Sequence, residues 1–326
     1  MTGKLLIQFL SDPEWDQPFF KRLALNDTGS GNGHQSGPYI PKSIQDFFPV
    51  LDTASTSAAR PTVDTALVAE LYFDGHHIGI DVVRYQVQTW KGTRRPEPRL
   101  TGNLGPLYSK AEAGDMMVMQ RSRDRLDYYR LFVFKKLSPA FQTLDEVAGS
   151  RGWGALFMES PPVSQQDIVA ARTEMLADAV QPFVPVRESV SRVTMSRKAI
   201  ARDTAFRETL LTQYHRRCSV SGIALATHSL AETEAAHVIP IGRGGADEPR
   251  NGITLTGTLH WAFDRGLFGI SENRRVFVPA PVLAMPENEW LVQFHEKQIS
   301  EADKPSLRTA AEAFAWHRTN ILAQWS

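Results

Sequence analysis

The sequence predicts an α+β protein of two domains, the first rich in β-strands and the second mixing helices with short strands. Its 326 residues exceed the roughly 150 residues of a common domain about twofold, so two separate cores are expected. Before residue 140 the apolar runs are short and turn-forming residues separate them. After residue 196 longer segments place apolar side chains at helical spacing.

The first domain is assigned to residues 1–145. Its strands are predicted at four apolar runs: Leu67–Phe73, His77–Val87, Met116–Gln120 and Tyr128–Lys135. Turn formers such as Asp74 and Gly75 separate these runs, and Ser43–Phe48 is a candidate helix. This pattern is typical of a barrel or a sandwich.

Residues 146–195 are predicted to form a helical, proline-containing linker, and residues 196–326 the second domain. The linker contains glycines, a Pro161–Pro162 pair and a helix over Ser164–Ala179. In the second domain, helices are predicted over Ala199–His215, Thr258–Gly266 and Lys304–Ala323. Short strands are expected between them.

Composition excludes several classes of protein. With 42% hydrophobic and 22% charged residues, the chain is neither wholly disordered nor collagen-like. The single cysteine, Cys218, excludes an internal disulfide and a zinc ribbon, and fits a reducing compartment, so a cytoplasmic location is expected. The apolar run in Met1–Leu10 is too short for a signal sequence or a membrane span, and no membrane role is predicted.

The formal net charge of zero argues, for the whole chain, against a nucleic-acid binder. Two segments are nevertheless basic. Arg192–Arg217 holds seven basic residues against Asp203 and Glu208, and Trp90–Lys110 holds five against Glu97. Each is either a phosphate-binding surface or an ordinary solvated surface. Because residues 91–99 combine turn formers with cations, they are predicted to form a basic loop.

A glycine-rich stretch, Asn26–Gly37, lacks the lysine and hydroxyl residue of a P-loop, so no nucleotide cofactor is expected. From Lys21 to Gln35 and on to Tyr39–Pro41, the chain resembles the opening of the N-terminal effector domain of the EcoRII restriction endonuclease. That family is similar to the plant B-three DNA-binding pseudobarrel. Thr93–Arg95 and Thr101–Asn103 extend the resemblance.

The resemblance implies a pseudobarrel in which two arms clasp double-stranded DNA and read bases. The first arm would contain Arg22, Asn26, Asp27, Thr28, His34 and Gln35, and the second Lys91, Arg94, Arg95, Glu97 and Arg99. For Asn26 and Asp27 the alternative is plain turn chemistry.

A histidine, an asparagine and a second histidine follow one another in the second domain. His237 is followed after 14 residues by Asn251, Asn251 after nine by His260, and His260 after four by Asp264. Together with Cys218–Gly222 upstream and Phe263–Gly266 downstream, this order resembles the HNH nuclease family and its ββα-metal fold. The resemblance covers Phe206–Asn273.

These residue types suit the hydrolysis of a phosphodiester, which needs a base for water and a cation at the phosphate. His237, at the end of a predicted strand, is the expected general base. His260 and Asp264 share one helix face and are expected to bind one divalent ion, Mg²⁺ by default and Mn²⁺ as the alternative. Asn251 completes the catalytic set by fixing the loop. Glu234 orients His237, holds a metal-bound water, or is a surface residue.

The sequence departs from many HNH relatives at two positions. Ala236 stands where a metal ligand often precedes the base, and Ser221 stands where a second zinc-binding cysteine would follow Cys218. No structural zinc is therefore expected, and Cys218 is interpreted as a small buried residue. Trp261 and Phe263 are expected to pack inside, and structural roles are assigned to the remaining histidines: His76, His77, His215, His228, His295 and His317.

The predicted function is a metal-dependent, sequence-specific restriction endonuclease of type II character. A basic helix with Arg197, Lys198 and Arg202 would grip the DNA backbone. Because one HNH site cuts one strand, a homodimer is a further hypothesis. Two alternatives stay open: an HNH restriction endonuclease that requires modified DNA, and a DNA-binding regulator whose HNH module is only a scaffold.

Overall fold

The computed structural model describes residues 3–12, 14–28, 37–89, 95–123, 125–157, 163–186, 197–227 and 231–325. It divides the chain into two compact units, Met1–Gln166 and Asp167–Ser326. The segment predicted as a linker is thus shared between the units, and the boundaries at residues 145 and 195 stay a prediction. Within the described ranges no helix is both long and apolar enough to span a bilayer.

The first unit is built on one sheet of seven strands. Its strands are β1 (Phe19–Arg22), β2 (Thr62–Phe73), β3 (His76–Gln88), β4 (Glu97–Thr101), β5 (Met116–Arg121), β6 (Tyr128–Phe134) and β7 (Trp153–Ala155). Its α-helices are α1 (Gly3–Leu10), α2 (Gly105–Tyr108) and α3 (Pro139–Ala148). The strand order is β4-β3-β2-β6-β5-β1-β7, and β2 and β6 are the parallel pair. The four predicted strands correspond to β2, β3, β5 and β6.

Strands β5 and β6 are buried over their whole length. Met117 and Met119 point into one apolar cluster, whereas Met116 and Val118 point into another that contains residues of α1 and α3. Since neighbouring residues of a strand face opposite sides, a strand covered on both faces needs a continuous apolar run. The unbroken apolar segments in the sequence therefore mark the centre of this sheet.

The predicted basic loop ends earlier than expected. Residues 91–94 lie outside the described residues, but Glu97–Arg99 belong to strand β4 and pair with β3. Pro98 is accommodated because β4 is the edge strand of the sheet, where a missing N–H breaks no ladder. The carbonyl oxygen of Pro98 accepts a hydrogen bond from the Ile40 amide at 2.9 Å.

The second unit contains the predicted ββα arrangement, so the mixed α+β class is confirmed for both halves of the chain. Strands β8 (Thr233–His237) and β9 (Gly252–Thr256) are antiparallel, and α6 (Gly257–Asp264) follows β9 directly. The other elements are α4 (Gln165–Asp178, which begins at the end of the first unit), α5 (Arg197–Gln213), β10 (Gly269–Ile270), β11 (Val276–Phe277), α7 (Ala280–Leu283), α8 (Glu289–Val292) and α9 (Ala311–Asn320).

The helix predicted over Lys304–Ala323 is wrong in its first part. Only α9 is α-helical there, because the backbone is extended at Arg308 and Ala310. Between them the buried Thr309 hydroxyl donates a hydrogen bond to the Gly252 carbonyl at 2.5 Å. The apolar spacing of residues 304–310 resembles that of a helix, but the contact of Thr309 with β9 determines the backbone conformation there.

Helix α9 carries a buried histidine. The His317 ring stacks on Phe263 with centroids 3.8 Å apart, and its Nε2–H donates to the Phe263 carbonyl at 2.9 Å. Burial lowers the pKa of His317 to about 4, although the hydrogen bond to Phe263 acts in the opposite direction. His317 therefore stays neutral at physiological pH and is part of the core.

We expect the second unit to lose stability as the pH falls from about 6.5 towards 4. Over this range the unfolded chain binds a proton at His317 and the folded chain does not, which costs up to about 1.4 kcal/mol per pH unit. Urea titrations of the full chain between pH 7 and 5, followed by hydrogen exchange of α9 peptides, measure this slope. His317→Gln should flatten it, whereas Phe263→Leu should lower stability and keep the slope. An unchanged slope in His317→Gln would contradict the assignment.

Candidate active site

The loop between β8 and β9 is held by one buried amide. The Asn251 side chain is fully buried; its Oδ1 accepts from the Ile239 amide at 2.9 Å, and its Nδ2 donates to the carbonyls of Ile239 and Ala246 at 2.9 and 2.8 Å. Each side-chain atom is thus used within the loop. These hydrogen bonds are the ones that the expected loop-fixing role requires, and the part of Asn251 in catalysis stays a prediction.

Two glycines let the backbone come close enough for this arrangement. A Cβ at Gly245 would overlap the Ile239 carbonyl oxygen, which Asn251 ties to the loop. A Cβ at Gly252 would overlap Leu210 Cδ1 and lie 2.8 Å from Phe206 Cζ. Helix α5 therefore packs directly against the backbone of β9.

His237 ends β8 and is held on two sides. Its ring stacks on Phe206 of α5, with centroids 3.9 Å apart and planes 3° apart. Its Nε2 lies 3.2 Å from Asp247 Oδ1. Because an ionised carboxylate only accepts, Nε2 carries the hydrogen and Nδ1 keeps a lone pair. Within the described part of the chain, Nδ1 has no hydrogen-bond partner, and the side chain is 18% exposed.

His260 is held in the opposite way. Its Nδ1 donates to Glu234 Oε2 at 2.5 Å, and its Nε2 lies 3.6 Å from Asp264 Oδ2, one helical turn away. The three side chains come from β8 and from the single face of α6 that the spacing of His260 and Asp264 predicted. Glu234 therefore contacts His260, and the expectation that it orients His237 is wrong. Residues 234 and 237 are an odd number apart on a strand and face opposite sides.

The charges around His260 favour its protonated form in the absence of a metal. Burial disfavours the charged imidazole, but the hydrogen bond to Glu234 and the charge of Asp264 outweigh it and raise the pKa of His260. The hydrogen bond from His260 lowers the pKa of Glu234 against the effect of burial. Arg207 of α5 adds positive potential at both groups, since it lowers both pKa values.

The donor set at α6 fits a divalent cation with few protein ligands. His260 Nε2 and Asp264 Oδ2 are near enough to bind one ion, and the carboxylate of Glu234 on Nδ1 fixes the tautomer that leaves Nε2 free. Among the described residues no group of three His, Cys, Asp or Glu side chains is arranged to hold a metal. A Mg²⁺ ion that keeps its waters and takes phosphate oxygens suits such a two-residue site.

Two family models match the chain, one in each half. The model described as restriction endonuclease EcoRII, N-terminal, matches residues 15–135, and the model described as HNH endonuclease matches residues 218–271. The chain combines an EcoRII-type N-terminal domain with an HNH endonuclease domain. The HNH match contains β8, the Asn251 loop, β9 and α6, which are the elements that carry the paired histidines.

Solved structures similar to the chain include two restriction endonucleases. The modification-dependent restriction endonuclease TagI is 20% identical over 36% of this chain, with a TM-score of 0.29. The B3 domain of the restriction endonuclease UbaLAI, in a crystal structure with cognate DNA, is 17% identical over 40% of this chain, with a TM-score of 0.28. The chain spans 37% of the TagI chain and 78% of the UbaLAI chain. No curated protein matches it.

In the HNH domain, two of the predicted DNA-binding cations of α5 have acidic partners. Lys198 pairs with Glu174 of α4 at 3.1 Å. Arg202 pairs with Asp178 at 3.4 Å and lies 3.7 Å from Asp247, the partner of His237. A contact of Lys198 and Arg202 with the DNA backbone stays a prediction, and nothing is described of the Arg197 side chain.

In the EcoRII-type domain, the described part of the first arm is mostly engaged inside the fold. Asp27 is 2% exposed and accepts from Lys21 Nζ and from the amides of Ala24 and Tyr39, which agrees with the turn chemistry considered as its alternative; a contact with DNA stays a prediction. Arg22 pairs with Asp145 and donates to the Gly149 carbonyl at 2.7 Å. A base-reading role of Arg22 stays a prediction.

Among the other predicted arm residues, some make hydrogen bonds within the protein and others are exposed to solvent. Thr28 Oγ1 donates to the Leu25 carbonyl at 3.1 Å, and Asn26 is exposed. In the second arm Arg99 donates to the Gly37 carbonyl at 2.9 Å and lies 3.6 Å from Glu97, while Arg95 is exposed. Four arm residues lie outside the described residues: His34, Gln35, Lys91 and Arg94.

Sequence reasoning missed Asp247. It lies ten residues after the base in a loop that contains glycines and further charges, so nothing in the spacing singles it out. Its proximity to His237 depends on the loop closure that Asn251 enforces. The available signal in the sequence was the presence of the carboxylates Asp247 and Glu248 between His237 and Asn251, without an indication of which one contacts His237.

We expect Glu234→Gln to weaken divalent-metal binding by about 10- to 100-fold, because a neutral amide oxygen holds the His260 Nδ1–H more weakly than the carboxylate does and no longer raises the basicity of the ring. Isothermal titration of the full chain with Mn²⁺ measures the affinity without requiring activity. Glu232→Gln, which keeps an acceptor for the Gly257 amide, is the matched control and should bind as the wild type does. Equal affinity in Glu234→Gln would contradict the assigned metal site.

Proposed function

We propose that the protein is a restriction endonuclease that hydrolyses phosphodiester bonds of double-stranded DNA in its HNH domain. One observation carries the proposal. Two histidines, one at the end of β8 and one within α6, are each fixed by a carboxylate, but at opposite ring nitrogens, so His237 offers Nδ1 and His260 offers Nε2. A base for water and a ligand for a cation are the two groups that phosphodiester hydrolysis requires.

His237 acts as the general base in this proposal. Its unpaired Nδ1 takes a proton from the attacking water, and the imidazolium that forms keeps its Nε2–H hydrogen bond to Asp247. The carboxylate stabilises that positive charge and prevents the ring from turning, as does the Phe206 ring stacked on it. Asp247 and Phe206 are therefore positioning residues.

His260 and Asp264 would hold the divalent ion, with Mg²⁺ as the first candidate and Mn²⁺ as the alternative. When bound, such an ion neutralises charge on the phosphate and on the leaving oxygen. Glu234 keeps His260 in the tautomer with a free Nε2. Metal binding competes with the proton that the same carboxylates favour on His260.

The EcoRII-type domain is proposed to select the DNA. Asn26 and Arg95 are exposed residues of the two predicted arms and could meet the duplex. Because one HNH site acts on one strand, we propose that two copies cooperate in a double-strand break. A cytoplasmic location fits the single, buried Cys218.

We expect the purified full chain to cut DNA with Mg²⁺ and His237→Ala to lower the cutting rate by at least 100-fold, because the base is lost. Phage and plasmid DNA, each prepared with and without base modification, are incubated with either form and the ends are sequenced. Cutting of unmodified DNA supports sequence specificity, and cutting of modified DNA alone supports the modification-dependent alternative. DNA binding without His237-dependent cutting of any substrate would support a regulator and overturn the proposal.

We expect Asp247→Asn to lower kcat about 10- to 100-fold with KM little changed, because the substituted residue no longer fixes and stabilises the protonated ring. Asp303→Asn is the matched control, since Asp303 pairs with the exposed His215 elsewhere in the same unit. Single-turnover rates over a range of DNA concentrations separate the two constants. A change confined to KM would contradict a positioning role.

A further inference from the structure

Most of the described arginines around the HNH site have a hydrogen-bond or ion-pair partner, but two have none within the described ranges. Arg202 and Arg250 are engaged by carboxylates, and Arg217 by a backbone carbonyl. Arg243 and Arg265 are exposed, and neither guanidinium makes a hydrogen bond or ion pair within the ranges that the structure describes. Arg265 instead lies over the ring of Trp261, 5.9 Å from its centroid.

These two arginines line the same cavity. It has a volume of about 200 Å³ and is also lined by Asp264, by Val238 and Pro240, which follow His237 in the chain, and by His317 and Ile321 of the α9 region. The cavity therefore joins the chain just after His237 to the end of α6 that carries the candidate metal ligand. It is smaller than sites for drug-sized molecules, which measure roughly 300–1,000 Å³.

Trp261 adds an aromatic surface next to Arg265. It was expected to pack inside, but Leu259, Ala262 and Phe263 form the buried side of α6 and leave Trp261 58% exposed. Arg265 follows it by one helical turn, which places both on the outer face of α6. An exposed aromatic ring beside an unpaired guanidinium is a combination that nucleic acids bind through stacking and phosphate contacts.

We propose that Arg243 and Arg265 clamp a backbone phosphodiester of the DNA strand that is cut. The guanidinium forks supply donors with fixed geometry for phosphate oxygens, and no acceptor within the described chain already uses them. Asp264 in the same cavity gives the phosphate a neighbour that binds a cation when the site is loaded. The proposal rests on the proposed nuclease function, and it assigns the DNA contact to the α6 side of the domain instead of the paired cations of α5.

The test separates binding from cutting. Anisotropy of a labelled duplex is measured with the full chain at several salt concentrations without divalent metal, and single-turnover cutting is measured with Mg²⁺. For Arg243→Gln and Arg265→Gln we expect the slope of log affinity against log salt to fall by about one each, and by about two in the double variant. We also expect roughly tenfold slower cutting at low DNA concentration, with partial rescue by Arg265→Lys.

Arg308→Gln is the matched control, because it removes an arginine of the same unit whose charge is paired with Glu301 at 3.2 Å. It should keep the salt slope and the cutting rate of the wild type. Salt slopes and rates of both arginine variants equal to those of Arg308→Gln would overturn the clamp. If the wild type binds DNA but cuts none, the nuclease proposal fails while the salt slopes still decide whether these arginines contact phosphate.

Discussion

The buried side chain of Asn251 is the constraint on which the nuclease site depends. Its three hydrogen bonds join both ends of a loop whose backbone groups would otherwise be unsatisfied in the interior. The loop so closed brings Asp247 to His237. Asn251 thus acts on the tautomer of His237 indirectly, through the position that it gives to Asp247.

The two carboxylate–histidine pairs differ in the imidazole nitrogen that the carboxylate contacts. At His237 the carboxylate is on Nε2, and at His260 it is on Nδ1. In both cases the acceptor fixes which nitrogen carries the hydrogen and which keeps its lone pair. His237, at the end of β8, therefore leaves Nδ1 open, whereas His260, within α6, leaves Nε2 open, which suits the two different roles proposed for them.

Much of this arrangement could be predicted from the sequence. The spacing of His260 and Asp264 fixes them on one helix face whatever the surroundings are, and the apolar runs of β5 and β6 report burial on both sides. The partner of Glu234 could not be predicted, since it depends on how α6 folds back on β8. The pairing of Lys198 with Glu174 was equally hidden, because the two residues lie on separate helices.

Individual ion pairs explain part of the neutral net charge of the chain. On α4 and α5 the acidic and basic residues face one another, so those charges cancel locally. Arg243 and Arg265, which have no acidic partner within the described ranges, line the same cavity as Asp264. Net charge is an average over these environments and carries no information about where an anion is attracted.

Because Gly252 has no side chain, helix α5 packs closely on strand β9. Leu210 and Phe206 of α5 pack directly on this bare backbone, with no side chain of residue 252 between them and the strand. A displacement of α5 by a fraction of an ångström would move the Phe206 ring, and with it the imidazole that lies flat against it. The orientation of His237 therefore depends on how closely α5 packs on β9.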